Sequence, residues 1–283
     1  MTLRTRIILL VLQLVGLAAL TAWAQGPGPT QIPIKLKDGY LVVAKGSIGR
    51  LNNLTFLVDT GTSRTLTDSR IAKRLQLAGV AHKLTVFDHE IEVKLVDLPD
   101  LRLGAIHAQS PEVIVMDLSG VAQRFGLHPD AIVGMDILRL SSFAIDYDSR
   151  QIWFGDGGPM PSALPLEQNQ PYLIVKAKLD DLPLTLMIDT GCENVVLFAN
   201  RFPMKLKKGY LHISQALTVA GEAPITQISS GKLGVGTLPA HKVRFQIITT
   251  GSNDMGYDGI VGVSALPASR IQFNFNHGTV SWR

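Results

Sequence analysis

The sequence predicts a mainly β fold made of two related lobes with a few short helices. Short apolar runs such as "LTFLVD", "EVIVMD" and "VRFQII" are bounded by Gly, Pro, Asn and Asp. This pattern is typical of the strands and tight turns of sandwich or barrel-like folds. The second half of the chain also repeats the first in the same order, and such a repeat indicates a duplicated unit.

The N-terminus has the pattern of an export signal. A basic start, "MTLRTR", precedes an apolar stretch from Ile7 to Leu20 and then Ala22-Trp23-Ala24, a small-x-small cleavage site. We therefore expect a signal peptide over residues 1–24, export of the protein, and no stable membrane span after cleavage. An uncleaved membrane anchor is the alternative, although the apolar stretch is shorter than the ~20 residues that a span needs.

The composition is that of a globular protein without a nucleic-acid partner. Apolar residues make up 46% and charged residues 18% of the 283 residues, enough to form a substantial core. The net charge is +4, but Arg4 and Arg6 lie in the leader, so about +2 remains for the mature chain. No Lys/Arg run suggests phosphate contacts. The single cysteine, Cys192, excludes an intramolecular disulfide.

The internal repeat extends through most of the mature chain. The segment "YLVVAKGSIGRLNNLTFLVDTG" from Tyr40 corresponds to "YLIVKAKLDDLPLTLMIDTG" from Tyr172. Further along, "KLTVFDHEIEV" corresponds to "ALTVAGEAPIT", "AIVGMDIL" to "GIVGVSAL", and "FAIDYDSRQIWF" to "IQFNFNHGTVSW". Between the copies, "GDGGPMP" has the Gly and Pro density of a linker. We expect an N-terminal lobe over 25–154, a linker over 155–163 and a C-terminal lobe over 164–283.

Two short helices are expected in each half. Thr67 is placed to cap "DSRIAKRLQL", with Ile71 and Leu75 facing inward. The segment "MDILRL" after Gly134 is long enough for one or two helical turns. In the second half Pro203 interrupts the equivalent of the first helix, which we expect to be shorter or displaced.

Each copy of the repeat contains Asp-Thr-Gly at the end of an apolar run, at Asp59 in "FLVDTGTS" and Asp189 in "LMIDTGCE". Two carboxylates that meet at a pseudo-twofold axis cannot both ionise cheaply, so they share one proton. The ionised member of such a pair can take a proton from a water that attacks a carbonyl, while the protonated member stabilises the carbonyl oxygen. Asp59 and Asp189 are therefore the candidate catalytic residues.

The other residues of the two motifs have supporting roles in this hypothesis. Gly61 and Gly191 permit a tight turn and leave backbone N–H groups free near the carboxylates. Thr60 and Thr190 supply hydroxyls that can lock the two turns to one another.

The residue after each glycine makes the two sites chemically unequal. Thr62 is placed to hydrogen-bond the outer oxygen of Asp59, whereas its counterpart Cys192 is a weak donor. We therefore expect Asp189 to be slightly the less stabilised as a carboxylate, with the pair titrating as one unit.

These motifs resemble those of the retropepsin-type aspartyl proteases. The apolar-Asp-Thr-Gly motif, a hairpin after it, and an apolar-apolar-Gly motif occur in both halves, the last ending at Gly134 and Gly262. The resemblance covers nearly all of the mature chain and is specifically to a bacterial exported form, periplasmic or secreted, with both lobes in one chain. It implies two pseudo-twofold-related acid-protease β-barrel lobes, with Gly134 and Gly262 in psi-shaped loops beside the aspartates.

The resemblance also implies which residues bind substrate. Two hairpins would act as flaps that pair with an extended peptide, through Asp88 and His89 in the first half and Gly221 in the second. Ser63 and Glu193 occupy the position where the family contacts substrate backbone. For Glu193 a solvated surface charge is an equally weighted alternative.

Three other kinds of site fit the sequence less well. "DTGTSRTLT" is similar to the phosphorylation motif of haloacid-dehalogenase-like phosphotransferases, but it lacks the motif's lysine and the chain lacks alternating strands and helices. The histidines show no metal-ligand spacing, so neither a metal nor another cofactor is expected. Cys192 has no recognisable partner histidine and is expected to be a small buried thiol.

The sequence therefore predicts an aspartic endopeptidase, a monomer that acts on peptide or protein substrates. One alternative is a catalytically silent pseudo-protease that binds peptides or a partner protein in the cell envelope. Another is a processing protease dedicated to a single envelope protein. The presence of both motifs favours an enzyme, because a binding module has no need for two aligned acids that are costly to bury together.

Overall fold

The structure, a computed structural model, describes residues 30–86, 89–157, 160, 163–167, 171–201, 210–218, 221–236, 238–248 and 256–283. The predicted signal peptide, the segment at Pro203 and the flap residue Asp88 lie outside the described residues. The prediction of a mainly β fold with a few short helices is confirmed. No helix within the described ranges is long and apolar enough to cross a membrane.

The described part of the first half contains twelve strands and three short helices. The strands are β1 (Gln31–Lys37), β2 (Leu41–Ile48), β3 (Leu51–Val58), β4 (Leu66–Asp68), β5 (Val80–Val86), β6 (His89–Asp97), β7 (Asp100–Leu103), β8 (Ile106–Gln109), β9 (Glu112–Met116), β10 (Ala131–Val133), β11 (Phe143–Asp146) and β12 (Gln151–Phe154). The helices are α1 (Ser69–Arg74), α2 (Ser119–Phe125) and α3 (Met135–Leu138).

The described part of the second half contains ten strands and one 3₁₀ turn, Val263–Ala265. The strands are β13 (Leu164–Pro165), β14 (Ile174–Leu179), β15 (Leu182–Asp189), β16 (Val195–Phe198), β17 (Tyr210–Thr218), β18 (Gly221–Val235), β19 (His241–Ile248), β20 (Gly259–Gly262), β21 (Arg270–Asn274) and β22 (Thr279–Trp282).

The two lobes have matching strand orders, as the sequence repeat predicts. The first lobe runs β2-β3-β10-β4-β9-β6-β5, with the β7–β8 hairpin attached to β2. The second runs β14-β15-β20-β16-β19-β18-β17, and β18 also pairs with β14, which closes a six-stranded barrel. In each lobe one short strand, β10 or β20, is parallel to the strand that leads to the aspartate and antiparallel to the next one.

A third sheet joins the halves. Its order is β1-β12-β11-β21-β22-β13, all antiparallel, with three strands from each half. The halves meet where β11 pairs with β21, and there the Phe143 and Phe273 rings lie 5.0 Å apart. The predicted linker lies between β12, the neighbour of β1, and β13 at the opposite end of this shared sheet. One hydrophobic core cluster contains buried residues of both lobes and of this sheet.

The first helix is capped by a residue other than the predicted one. The side chain of Asp68 accepts a 2.8 Å hydrogen bond from the Arg70 N–H and caps α1. The expected cap, Thr67, is wrong because β4 continues to Asp68, so Thr67 is still in the strand and pairs with Ala131. Ile71 is buried in the core as expected. The predicted helix after Gly134 is confirmed as the single turn α3.

Candidate active site

The two Asp-Thr-Gly loops begin at the ends of matching strands. β3 leads directly into Asp59, and β15 ends at Asp189. Each strand is held by its parallel neighbour, since β10 pairs with β3 up to Val58 and the Asp59 N–H donates to the Val133 carbonyl oxygen at 3.1 Å. In the second lobe β20 pairs with β15 up to Asp189 itself. The shared β framework thus fixes the position of both aspartates.

Thr60 and Thr190 connect the two loops through a symmetric set of hydrogen bonds. The Thr60 N–H donates to the Thr190 hydroxyl at 3.0 Å, and the Thr190 N–H donates to the Thr60 hydroxyl at 3.1 Å. Each hydroxyl donates in turn to a carbonyl of the opposite lobe, Thr60 to Ile188 at 2.9 Å and Thr190 to Val58 at 2.8 Å. Both threonines are fully buried, so these bonds are shielded from competing water.

Gly61 and Gly191 let the two carboxyl groups come together. The Gly61 N–H donates to Asp59 Oδ1 at 2.8 Å, and the Gly191 N–H donates to Asp189 Oδ1 at 2.7 Å. A Cβ atom on Gly61 would overlap the Asp189 carboxyl group, and one on Gly191 would lie 2.9 Å from Asp59 Oδ1. Each glycine therefore lies against the acid of the opposite lobe, where a side chain would push the loops apart.

Asp59 and Asp189 are hydrogen-bonded to one another, which requires a proton between them. Burial raises the pKa of both groups. The negative charge of Asp59 and the hydrogen bond to it raise the pKa of Asp189 further, whereas the same hydrogen bond lowers that of Asp59. The two carboxyl groups therefore titrate as one unit, which keeps a proton to higher pH than a lone aspartate does. Both residues remain partly accessible to solvent.

The predicted hydrogen bond from Thr62 to Asp59 is wrong. The Thr62 hydroxyl donates its single proton to the Arg64 carbonyl oxygen at 3.0 Å, because this acceptor lies only two residues along the same turn. The Cys192 thiol makes the equivalent contact with the Asn194 carbonyl oxygen at 3.3 Å. Burial, and then the charge of Asp189, raise the pKa of the Cys192 thiol, so it is a neutral thiol.

Gly134 and Gly262 lie directly against the two aspartate loops. The Gly134 N–H donates to the Thr65 hydroxyl at 3.0 Å, and the Gly262 N–H donates to the Asn194 carbonyl oxygen at 2.9 Å. A Cβ atom would come within 2.8 Å of the Arg64 carbonyl carbon at Gly134 and would overlap the Cys192 carbonyl oxygen at Gly262. Both positions need the close backbone approach that only glycine allows.

The candidate substrate-binding residues lie at two kinds of position. Ser63 is partly exposed and Glu193 is exposed, and each follows the glycine of its motif by two residues. The Glu193 carboxylate accepts a 3.3 Å hydrogen bond from the Asn194 side chain. His89 pairs with Val86 at the tip of the β5–β6 hairpin, and Gly221 lies at the matching tip of the β17–β18 hairpin.

Tyr40, the first residue of the repeat, was not among the predicted site residues. It is buried, and burial together with the negative charge of Glu193 from the other lobe raises the pKa of its phenol to about 12. The sequence signal was the tyrosine that opens each copy of the repeat.

Asp130 and Asp258 were also missed. Asp130 precedes "AIVG" and Asp258 precedes "GIVG", so they occupy the same position in the two copies. Each accepts a 2.8 Å hydrogen bond from a backbone N–H four residues before a candidate catalytic aspartate, that of Thr55 or Thr185. Their hydrogen-bond partners also repeat in the sequence, since "TFLVDTG" and "TLMIDTG" each begin with the threonine concerned.

The arrangement suits water-mediated attack on a carbonyl. A pair that holds one proton can accept a proton from a water and donate one to the carbonyl oxygen at the same time. Within the described ranges, no group of three His, Cys, Asp or Glu side chains is placed to hold a metal ion.

Comparison with known proteins supports the aspartyl protease resemblance for one part of the chain. The comparison with curated proteins found no match to the chain. A family model matches residues 44–137, which include Asp59, its glycine turn and Gly134, while the second Asp-Thr-Gly copy lies outside that segment. The matched family is described as aspartyl protease, in agreement with the resemblance that the motifs indicate.

Proposed function

We propose that the protein is an aspartic endopeptidase that hydrolyses peptide bonds with a water activated by Asp59 and Asp189 between the two lobes. The observation that supports this most directly is that the carboxyl groups of Asp59 and Asp189, one from each half, lie together with raised pKa values while both residues remain partly accessible. The aspartyl protease match over residues 44–137 supports the same reaction class.

In the proposed reaction the ionised Asp59 accepts a proton from the bound water while the water oxygen attacks the peptide carbonyl carbon. Asp189 donates its proton to the carbonyl oxygen, so a neutral tetrahedral intermediate forms. On collapse, Asp59 gives its proton to the amide nitrogen as the C–N bond breaks, and Asp189 takes a proton back from the intermediate. The pair returns to its starting state with one water consumed.

The surrounding hydrogen bonds would hold this geometry during the reaction. The reciprocal bonds of Thr60 and Thr190 restrain the loops relative to one another, and the glycine N–H groups orient one oxygen of each acid. Such rigid support matters because small displacements of reacting groups lower rates steeply.

The proposed substrates are peptides or proteins bound in extended form between the lobes. The tips of the β5–β6 and β17–β18 hairpins would cover the substrate. The extended substrate would pair with them as an added strand pairs with a sheet edge. We propose a monomer, because one chain supplies both aspartates and all six strands of the shared sheet. The leader pattern supports action outside the cytoplasm, in a bacterial periplasm or secreted.

The test is cleavage of a mixed peptide library by the full chain without its predicted leader, followed by mass spectrometry at acidic and neutral pH. We expect cleavage by the wild type and a loss of about 1000-fold or more in Asp59→Asn and in Asp189→Asn, because each removes one proton-transfer group. Asp148→Asn, which changes an exposed aspartate away from the site, is the matched control and should cleave normally.

An extract of cell-envelope proteins serves as a second substrate pool, so that a narrow specificity is not missed. Unchanged cleavage by either dyad variant would overturn the proposed mechanism. Peptide binding by the wild type without cleavage in either pool, at any pH, would instead support the pseudo-protease.

A further inference from the structure

Outside the candidate catalytic pair, each lobe contains one aspartate that is hydrogen-bonded to the backbone of the strand leading to that pair. In the first lobe Asp130 Oδ2 accepts the Thr55 N–H at 2.8 Å, and the Asp130 N–H donates to the Thr55 carbonyl oxygen at 2.7 Å. Asp130 comes immediately before β10, and Thr55 lies within β3. The side chain and main chain of Asp130 therefore bind both the N–H and the carbonyl oxygen of one residue of β3.

The second lobe repeats this arrangement with the same distances. Asp258 Oδ2 accepts the Thr185 N–H at 2.8 Å, and the Asp258 N–H donates to the Thr185 carbonyl oxygen at 2.7 Å. Asp258 comes immediately before β20, and Thr185 lies within β15. We call each of these two reciprocal Asp–Thr pairs a latch.

An arginine approaches the second oxygen of each latch carboxylate. Arg70 Nη2 lies 3.6 Å from Asp130 Oδ1, and Arg201 Nε lies 3.6 Å from Asp258 Oδ1. The two aspartate side chains are mostly buried, with 17% and 22% of their surface exposed, so each arginine lies beside a carboxyl group that is largely shielded from solvent.

The latches lie where they can set the register between two parallel strands. β10 pairs with β3 from Ala131 opposite Phe56 to Val133 opposite Val58. In both strands the latch residue comes one position before the first of these pairs. In the second lobe β20 pairs with β15 from Gly259 opposite Leu186 onwards. A slip of one residue would turn every side chain of the short strand to the opposite face.

Register matters because β10 is followed directly by Gly134 and β20 ends at Gly262, the two glycines that contact the aspartate loops. Beyond β10, the Gly134 N–H donates to the Thr65 hydroxyl and the Met135 N–H donates to the Thr62 carbonyl oxygen at 2.9 Å. At the end of β20, the Gly262 N–H donates to the Asn194 carbonyl oxygen. A shift of either strand would therefore move the loop that holds its aspartate.

We propose that Asp130 and Asp258 are positioning residues that fix the two strands ending in the candidate catalytic aspartates, and so keep the two carboxyl groups within hydrogen-bonding distance. Four residues of strand separate each latch from its aspartate, about 13 Å at the usual rise of a strand. The latches therefore act through the backbone and do not touch the substrate. This inference rests on the proposed function for its kinetic test only.

The kinetic test compares Asp130→Ala and Asp258→Ala with the wild type on a peptide found to be cleaved. We expect kcat to fall about 10- to 100-fold, with KM changed by less than about threefold, because misplaced reacting groups slow the chemical step more than they weaken binding. Asp130→Asn keeps an oxygen that can accept the Thr55 N–H and should restore most of kcat. Because the two latches lie in different lobes, either Ala variant tests the proposal if the other fails to fold.

Asp180 provides a matched control for a loss of stability alone. Its carboxylate accepts the Lys232 N–H at 2.9 Å, and its own N–H donates to the Lys232 carbonyl oxygen at 2.7 Å, which is the same reciprocal bond. It lies in the turn between β14 and β15, at the end of β15 remote from Asp189. Asp180→Ala should lower the unfolding temperature, yet leave kcat unchanged.

A second readout is independent of activity. Carbon-13 NMR of the aspartate carboxyl groups follows the titration of the pair, and in the wild type we expect two well-separated apparent pKa values for Asp59 and Asp189. In Asp130→Ala the two values should move closer together, since the carboxyl groups move apart. Asp180→Ala should titrate as the wild type.

The possible outcomes separate this inference from the proposed function. A wild type that cleaves nothing would overturn the proposed function, and the NMR titration would still test the latches. A latch variant with wild-type kcat and an unchanged titration of the pair would overturn the latch proposal and leave the proposed function intact. The latch proposal would also be overturned if Asp180→Ala lowers kcat as much as Asp130→Ala does.

Discussion

At the scale of single residues, the site depends on a few buried polar groups that are fully satisfied. Thr60→Val keeps the shape of the side chain but leaves the Thr190 N–H and the Ile188 carbonyl oxygen without partners. We expect it to lower the free energy of unfolding by about 2–4 kcal/mol, the usual penalty for buried unpaired groups. Thermal or denaturant unfolding measures this, with Thr60→Ser as the control that retains the hydroxyl.

Thr190→Val should behave in the same way, and the double variant should lose less than the two single losses combined. The loops are held by both threonines, so disturbing one weakens the bonds of the other, with a coupling of about 0.5–3 kcal/mol expected for such neighbours. Strictly additive losses would show that the two loops are not held as a unit.

The proton shared by Asp59 and Asp189 gives the stability a particular pH dependence. Because the folded state raises the pKa of the pair, it binds more protons than the unfolded chain above the ordinary Asp pKa of about 3.9, and stability falls as the pH rises through that range. Asp189→Asn can donate its amide proton to Asp59 at every pH. We expect the variant to gain stability relative to the wild type as the pH increases, and parallel curves would contradict this.

The repeated motif identified Asp59, Asp189 and their glycines, because the chemistry of two paired acids needs those residue types. The partner of Thr62 could not be predicted, since a hydroxyl rotates towards the nearest acceptor and only the coordinates give the Arg64 carbonyl that position. Asp130 and Asp258 had a weaker signal, one acid before a short apolar run, and their role appears only when β10 and β20 are seen beside the aspartate strands.

At the scale of elements, Asp68 connects β4, α1 and the segment before α2. Its buried carboxylate accepts N–H groups from Arg70 at 2.8 Å and Leu118 at 3.0 Å and contacts His128 Nε2 at 3.2 Å. Burial alone would raise the pKa of Asp68, but these hydrogen bonds outweigh burial and lower it. Thr67 and Asp68 are both favourable N-cap residues by type. Because β4 pairs with its neighbours as far as Asp68, the helix can begin only after Asp68.

Asp68→Ala should lower the free energy of unfolding by about 2–4 kcal/mol, which combines the loss of a helix cap with a buried N–H left unpaired. Because the pKa of Asp68 is lowered, its contribution is present above the ordinary Asp pKa and is lost as the pH falls through the folded-state value. The difference from the wild type should therefore shrink in acid. Asp117→Ala, which removes an exposed 2.9 Å bond to the Ser119 N–H, is the control and should change stability by less than about 1 kcal/mol.

At the scale of the whole molecule, the repeat predicted two lobes but not the way in which they are joined. The strands "FAIDYDSRQIWF" and "IQFNFNHGTVSW" could be recognised, yet their pairing across the halves is a long-range contact that no local pattern specifies. The shared sheet and the continuous core make each lobe depend on the other.

We therefore expect the mature chain to unfold in one cooperative transition in differential scanning calorimetry, with equal calorimetric and van't Hoff enthalpies. Two resolved transitions, one for each half of the chain, would contradict the dependence of the lobes on the shared sheet.

If Asp59 and Asp189 act together as one singly protonated pair, the pH dependence of kcat/KM for peptide cleavage must show it. We expect a bell-shaped profile, because activity is lost when the pair gains a second proton in acid and when it loses the shared proton in base. A rate that rises to a plateau with increasing pH, or a profile that Asp189→Asn leaves unchanged, would contradict it.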